Sequence, residues 1–251
     1  MNQPQRQLKI ILIGDTCIDE YQYGTVDRMS PEAPVPVFVP KHTETKSGMG
    51  SNVKENLLAL GLNVTSFLGD PSKKKRLIDA KSKQHLMRID DDVKSNPCNL
   101  DYVMKFLEGS DAVVISDYAK GFVTEDFIKG IRQQYEGPIF VDTKKRDLKL
   151  FEGCIVKINE TEYSSRISDC SNMVLTRGSS GVSYNNKTFS VPKVDVFDVC
   201  GAGDTFLSAL TYGYLVADDM EQAIEFAIRA SSITVQHVGV YAPTLEEINA
   251  T

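Results

Sequence analysis

The sequence predicts one α/β domain built on a doubly wound, mostly parallel sheet with helices on both faces, plus a small β lid. Three observations carry this expectation. Continuous apolar runs such as Lys9–Ile13 (KIILI) and Ala112–Ser116 (AVVIS) read as strands buried on both faces. They alternate with segments of helical periodicity, the pattern of parallel strands joined by crossover helices. Polar residues recur just past the strand ends: Asp15, Asp70, Asp117, Asp142 and Asn159. Ligands of open α/β sheets bind beyond the carboxyl ends of the strands, so this recurrence points to one site along one sheet edge.

The 251 residues suit one large domain, spanning 1–251, and 41% hydrophobic with 25% charged residues is a globular composition. A net charge of −6 argues against nucleic-acid binding through backbone electrostatics. The dense basic run Lys73–Arg76 reads as a solvated face or turn. No apolar stretch approaches the roughly 20 residues that span a bilayer. The segment Met1–Lys9 lacks the apolar centre of a signal peptide. Five scattered cysteines (Cys17, Cys98, Cys154, Cys170, Cys200) have no metal-ligand spacing, which fits a reduced cytoplasmic protein.

In chain order, the first strand ends in Gly14-Asp15, with Asp19 four residues on. Both carboxylates are placed to meet a ligand, and turn chemistry accounts for only one of them. Tyr21–Val39 holds Pro31, Pro34 and Pro36 and reads as an exposed β excursion, a lid over a site or a dimer contact. The turn Gly48-Met49-Gly50 precedes a helical pattern with Asn52, Val53, Leu57 and Leu60, closed by Gly61. Val64–Leu68 and Gln84–Asp90 read as strands and Leu100–Leu107 as a short helix. Ala112–Ser116, Ile139–Val141, Ile155–Ile158 and Met173–Thr176 read as strands, with a helix at Phe127–Tyr135. The β-prone runs Thr188–Val191 and Val194–Phe197 lead into Asp198–Thr205 (DVCGAGDT). Helices at about 205–216 and 220–237 follow.

At Gly201-Ala202-Gly203-Asp204 extended chain becomes helix, which gathers unpaired N–H groups and the positive end of the helix dipole at one spot. Glycine permits close approach, and a phosphate is the natural guest. Asp204 is then either a helix cap or a general base that deprotonates an attacking hydroxyl. These eight residues alone leave the two readings balanced.

Together these segments resemble the pfkB family of ribokinase-like carbohydrate kinases. Asp198 with Gly201–Asp204 looks like that family's C-terminal signature, Asn159 and Glu162 like its Asn-x-x-Glu motif, and Thr176, Gly178 and Gly181 like its nucleotide loop. Gly14–Gly24, Arg28–Val37 (RMSPEAPVPV), Gln84–Asp90 and Ser116–Gly121 are similar to the heptose-7-phosphate kinases, which serve ADP-heptose and lipopolysaccharide synthesis.

The resemblance implies a ribokinase-like fold and phosphoryl transfer from ATP, with Mg²⁺, to the anomeric hydroxyl of D-glycero-D-manno-heptose 7-phosphate. It makes Asp204 the base and the amides of Gly201, Ala202 and Gly203 the anion hole. Asp15, Asp19, Asn52 and Gly48 would meet the sugar, with Arg28, Arg88, Asp117 and Lys120 as further substrate contacts. Asn159 and Glu162 would organise Mg²⁺, Glu162 through water. Thr176, Gly178, Gly181 and Asp198 would border the nucleotide. Segments 20–40 and 84–90 would form the lid and pair two subunits. Some relatives also need a monovalent cation.

The chain departs from the pattern in three places. Met49 stands between two glycines where adjacent glycines are usual, which favours a different sugar or a nucleoside. Pieces are missing between Asp70 and Lys81 and around Arg166–Met173, which favours a trimmed, non-catalytic binder; an intact Asp204 opposes that. Cys200 occupies a position often held by Thr. No adenylyltransferase half follows the last helix, so sugar activation is expected to fall to another protein.

Overall fold

The computed structural model describes residues 6–251. Met1–Gln5, part of the segment read above for signal-peptide character, lie outside the described residues. The chain opens with β1 (Lys9–Gly14), β2 (Thr16–Met29), β3 (Pro36–Met49), α1 (Gly50–Ala59) and β4 (Asn63–Leu68). It continues through β5 (Ser72–Asp79), β6 (His85–Asp91), α2 (Leu100–Met104), β7 (Ala112–Asp117), α3 (Glu125–Gln134) and β8 (Ile139–Thr143). Then come β9 (Ile155–Asn159), α4 (Glu160–Ser165), β10 (Asn172–Thr176), β11 (Val182–Tyr184) and β12 (Lys187–Phe189). Last are α5 (Ala202–Ala217), α6 (Met220–Thr234) and α7 (Leu245–Asn249).

Eight strands form the main sheet in the order β12-β11-β10-β9-β8-β7-β1-β4. Its pairings from β10 across to β4 are parallel, and β11 and β12 add an antiparallel hairpin at one edge. The alternation of side chains sorts β1 between two cores. Ile10 and Leu12 join the face covered by α1, α5 and α6, with Val53, Leu57, Leu210 and Ala227. Ile11 and Ile13 join the face covered by α2 and α3, with Phe127, Ile128 and Ile131. The doubly wound expectation is met, and the carboxyl ends of the parallel strands lie along one edge.

The second sheet, β3-β2-β5-β6, contains the segments expected to form the lid, and it is larger than the sequence suggested. β2 and β3 together run from Thr16 to Met49, and β5 pairs in parallel with β2. Lys73–Arg76 therefore lies in a strand and not in a turn, with Lys73 on its solvated face. Ser72 and Arg76 are buried while Lys73 is exposed, because a strand alternates its faces and carboxylates of β2 neutralise part of the charge. Val194–Phe197 is also corrected. It is an exposed loop, held by the Phe197 N–H donating to Val235 O at 2.8 Å. No helix among the described residues is long and apolar enough to cross a membrane.

Candidate active site

Helix α5 begins after Gly201, whose φ of 77° is left-handed. A Cβ there would stand 2.7 Å from Asn52 Nδ2 and 3.0 Å from Val240 Cγ1, so only glycine fits. Asp204 lies in the first helical turn, but its side chain does not cap. It turns inward and is buried. Its Oδ2 accepts from Asn52 Nδ2 at 2.8 Å and its Oδ1 from the Tyr118 hydroxyl at 3.2 Å. Asn52 is itself braced, since Asn56 Nδ2 donates to its carbonyl at 2.8 Å and Thr205 Oγ1 donates to Asn56 Oδ1 at 2.8 Å. Burial pushes the Asp204 carboxyl up to about 6, against the donors Asn52 and Tyr118 and the Lys157 charge, which hold it down. A carboxylate poised near neutrality is what proton abstraction requires.

Beneath the glycine turn lies a buried ion pair that the sequence did not reveal. Lys157 Nζ donates to Asp142 Oδ2 at 2.7 Å, and both groups are buried. A Cβ on Gly203 would be 2.8 Å from Lys157 Nζ, so the ammonium sits directly against the first turn of α5. Burial disfavours its charge, but Asp142, Glu162 and Asp204 outweigh burial and hold the lysine above its usual range. The available signal was a lysine inside the otherwise apolar strand Ile155–Ile158.

On the neighbouring strand end, Asn159 and Glu162 form a capping box on α4. Glu162 Oε2 accepts from the Asn159 backbone N–H at 2.7 Å, and Oε1 accepts from Asn159 Nδ2 at 2.8 Å and pairs with Lys144. The Lys144 ammonium lies 5.2 Å from the Tyr118 ring centroid, which ties this pair to the Asp204 cluster.

The other sequence-predicted residues divide. Asp15 is buried, and its Oδ2 accepts from the backbone N–H groups of Tyr118 (2.8 Å) and Lys120 (3.1 Å), while its Oδ1 has no protein partner. It holds the loop that carries Tyr118. Asp19 is buried against Arg76, and a Cβ on Gly48 would meet Asp19 Oδ2 at 2.3 Å. Thr176 Oγ1 donates to Ile158 O at 3.2 Å. Gly178 and Gly181 have φ of 52° and 100°, the backbone of a tight turn beside Asn159. Asp198 accepts from the N–H groups of Cys200 (3.0 Å) and Gly239 (2.9 Å), fixing the approach to α5. Those amides pull its carboxyl below the usual range although burial opposes them.

Four substrate assignments make no bond to Asp204, Asn52 or Tyr118 among the described residues. Asp117 is buried under Lys145 Nζ (2.7 Å), Thr143 Oγ1 (2.7 Å) and the Ala119 N–H (3.0 Å), so its oxygens are committed to the fold. The Lys120 ammonium turns outward to Asp92 at 2.6 Å. Arg28 is exposed near the end of β2, and Arg88 is exposed and paired with Asp90 at 2.9 Å. Strand geometry aims Asp117, Arg28 and Arg88 and a loop aims Lys120, and short motifs carry no information on that.

Residues 156–248 match the model of the pfkB family carbohydrate kinases. The bifunctional protein HldE of Nitratiruptor sp. is 29% identical over an alignment covering 96% of this chain and 64% of that protein. The HldE of Hyphomonas neptunium is 28% identical, covering 96% and 63%. The chain thus spans less than two thirds of the length of these relatives. The alignment with the first runs over 297 positions, more than the 251 residues here, in keeping with missing pieces. Ribokinase from Thermotoga maritima superposes with a TM-score of 0.73 at 16% identity, covering 97% of this chain and 98% of that one. Phosphofructokinase-2 from Escherichia coli, in complex with potassium, gives 0.72 at 14% identity, covering 97% of each. The fold is that of the ribokinase-like enzymes. With the match over residues 156–248, it makes the chain similar to the pfkB family carbohydrate kinases in that region.

Proposed function

We propose that the chain transfers the γ-phosphoryl group of ATP to the anomeric hydroxyl of D-glycero-D-manno-heptose 7-phosphate. The observation that carries the chemistry is Asp204, buried and held between Asn52 and Tyr118 in the first turn of α5. Its carboxylate takes the hydroxyl proton as the oxygen attacks phosphorus. The amides of Gly201, Ala202 and Gly203 face the transferring group, and one such donor is worth roughly 3–4 kcal/mol. Lys157, against Gly203, adds fixed positive charge where negative charge develops. Asp15 and Asp19 bind sugar hydroxyls, and Thr176–Gly181 and Asp198 frame the nucleotide.

No cluster of three His, Cys, Asp or Glu suited to a metal exists among the described residues. A single carboxylate beside an amide suits Mg²⁺, which keeps most of its water and leans on substrate phosphates. Asn159 and Glu162 would hold that ion through water, and it would supply charge neutralisation between the β- and γ-phosphates. The choice of heptose rests on Gly14–Gly24 and Arg28–Val37. The lid exposes Met29, Val35, Val39, Leu86, Met87 and Ile89, which supports pairing of two chains through lid strands.

The test is ATP consumption against a panel of sugar phosphates, with K⁺ present because a monovalent cation belongs to the same expectation. Turnover with heptose 7-phosphate that collapses in Asp204→Asn supports the proposal. No turnover with any sugar sinks it. A second reading, a different sugar or a nucleoside as acceptor, draws on Met49, which is buried beside the cleft at φ 55°.

A further inference from the structure

The lid brings to the cleft a cation that none of the roles above uses. Side chains on β5 alternate. Lys73 is exposed, Lys75 pairs with Glu20 at 2.9 Å, and Arg76 is buried against Asp19. Lys74 lies opposite Asp19 in the β2–β5 register, and its ammonium stands 5.9 Å from the Tyr118 ring centroid. It is half-buried and forms no ion pair within 4.0 Å with any carboxylate among the described residues. Two ammonium groups therefore approach one tyrosine. Lys144, on the nucleotide side, is already paired with Glu162. Lys74, on the lid side, is free. A half-buried charge without a counter-ion loses hydration and gains no partner, so an anion entering there is bound more strongly than at an open surface.

We propose that Lys74 binds the anionic group of the acceptor, so that the cleft selects a sugar already carrying a phosphate. Tyr118 sets the geometry. Its hydroxyl end touches Asp204 and its ring carries Lys74, so an acceptor with its reacting hydroxyl at Asp204 extends past the ring and presents its far end to the lysine. The phosphate contact thus passes from Arg28 and Arg88, which are exposed, to the inner face of the lid. The inference rests on the kinase reading and names the residue that holds the acceptor's phosphate at that same site.

The experiment compares wild type, Lys74→Met, Lys74→Arg and Lys73→Met, the last removing an equal charge from the outer face of the same strand. Steady-state assays vary heptose 7-phosphate, its unphosphorylated heptose and ATP separately, and calorimetry measures binding of each without turnover. Loss of one charge-assisted phosphate contact is expected to raise KM and Kd for the phosphorylated acceptor about tenfold or more. KM for ATP and turnover of the free sugar stay unchanged, Lys74→Arg recovers most of the affinity, and Lys73→Met behaves as wild type. A rise confined to ATP, or equal losses in Lys74→Met and Lys73→Met, overturns the assignment. Phosphorylation of free sugars by a wild type that neither binds nor uses sugar phosphates also overturns it, while leaving the kinase standing. Binding of sugar phosphate through Lys74 without any turnover has the reverse meaning: the assignment holds and the kinase reading fails.

Discussion

Asp204 and Asn52 are 152 residues apart in the chain, yet Asn52 Nδ2 donates to Asp204 Oδ2 at 2.8 Å. This bond joins the start of α5 to the start of α1 and points the other carboxylate oxygen at Tyr118. It fixes the direction of the carboxylate, and it makes Asp204 the natural place to begin testing.

Replacing Asp204 with Asn should lower kcat by about 10²–10⁴, the usual worth of a positioned general base. Melting and ATP binding should change little. The pH profile follows from the raised carboxyl. Below about 6 the group is protonated and cannot accept a proton, so kcat/KM should fall as pH drops through that value and level off above it. A profile flat from pH 5 to 8 would show that this carboxyl is not the base.

Lys157→Met leaves Asp142 buried without its partner and should destabilise the fold by about 3–5 kcal/mol. The double variant Lys157→Met, Asp142→Leu removes both charges and should recover most of that stability. If the ammonium against Gly203 also stabilises the transferring phosphoryl group, kcat stays low in the refolded double variant. Recovery of kcat together with melting temperature would assign Lys157 to structure alone.

Met49 carries a side chain at φ 55° and ψ −133°, a region that glycine tolerates and other residues enter at a cost of about 1–3 kcal/mol. Met49→Ala loses the buried side chain and keeps the strain, whereas Met49→Gly loses the side chain and relieves it. The glycine variant should therefore be the more stable of the two, the reverse of the ordinary order, as chemical denaturation can measure. Acceptor selectivity of Met49→Gly then reports whether the methionine narrows the sugar pocket.

Asp117 is expected to act through folding. Asp117→Ala removes the partner of half-buried Lys145 and the acceptor for Thr143 and the Ala119 N–H, and should cost about 1–3 kcal/mol. Any fraction that folds should retain wild-type KM for the acceptor. A well-folded variant with a selectively raised acceptor KM would restore Asp117 to the substrate site.

Two kinds of information shaped this protein. Apolar continuity in Lys9–Ile13 and Ala112–Ser116 was enough to predict central parallel strands, because burial on both faces tolerates little else there. Glycines before an apolar helix likewise marked the start of α5, since backbone geometry is a local property. Prolines marked an exposed β excursion but not the extent of the second sheet. What stayed hidden is what non-local pairing creates. Lys73–Arg76 reads as a solvated turn until β2, some fifty residues earlier, supplies both a hydrogen-bonding edge and the carboxylates Asp19 and Glu20. Lys157 looks like an interruption in a strand until Asp142, on the next strand, neutralises it beneath Gly203. Asp204 itself could be a cap or a base on local grounds. The packing of α1 and the Tyr118 loop takes its side chain away from capping, because burial and two donors from distant segments set both its direction and its proton affinity.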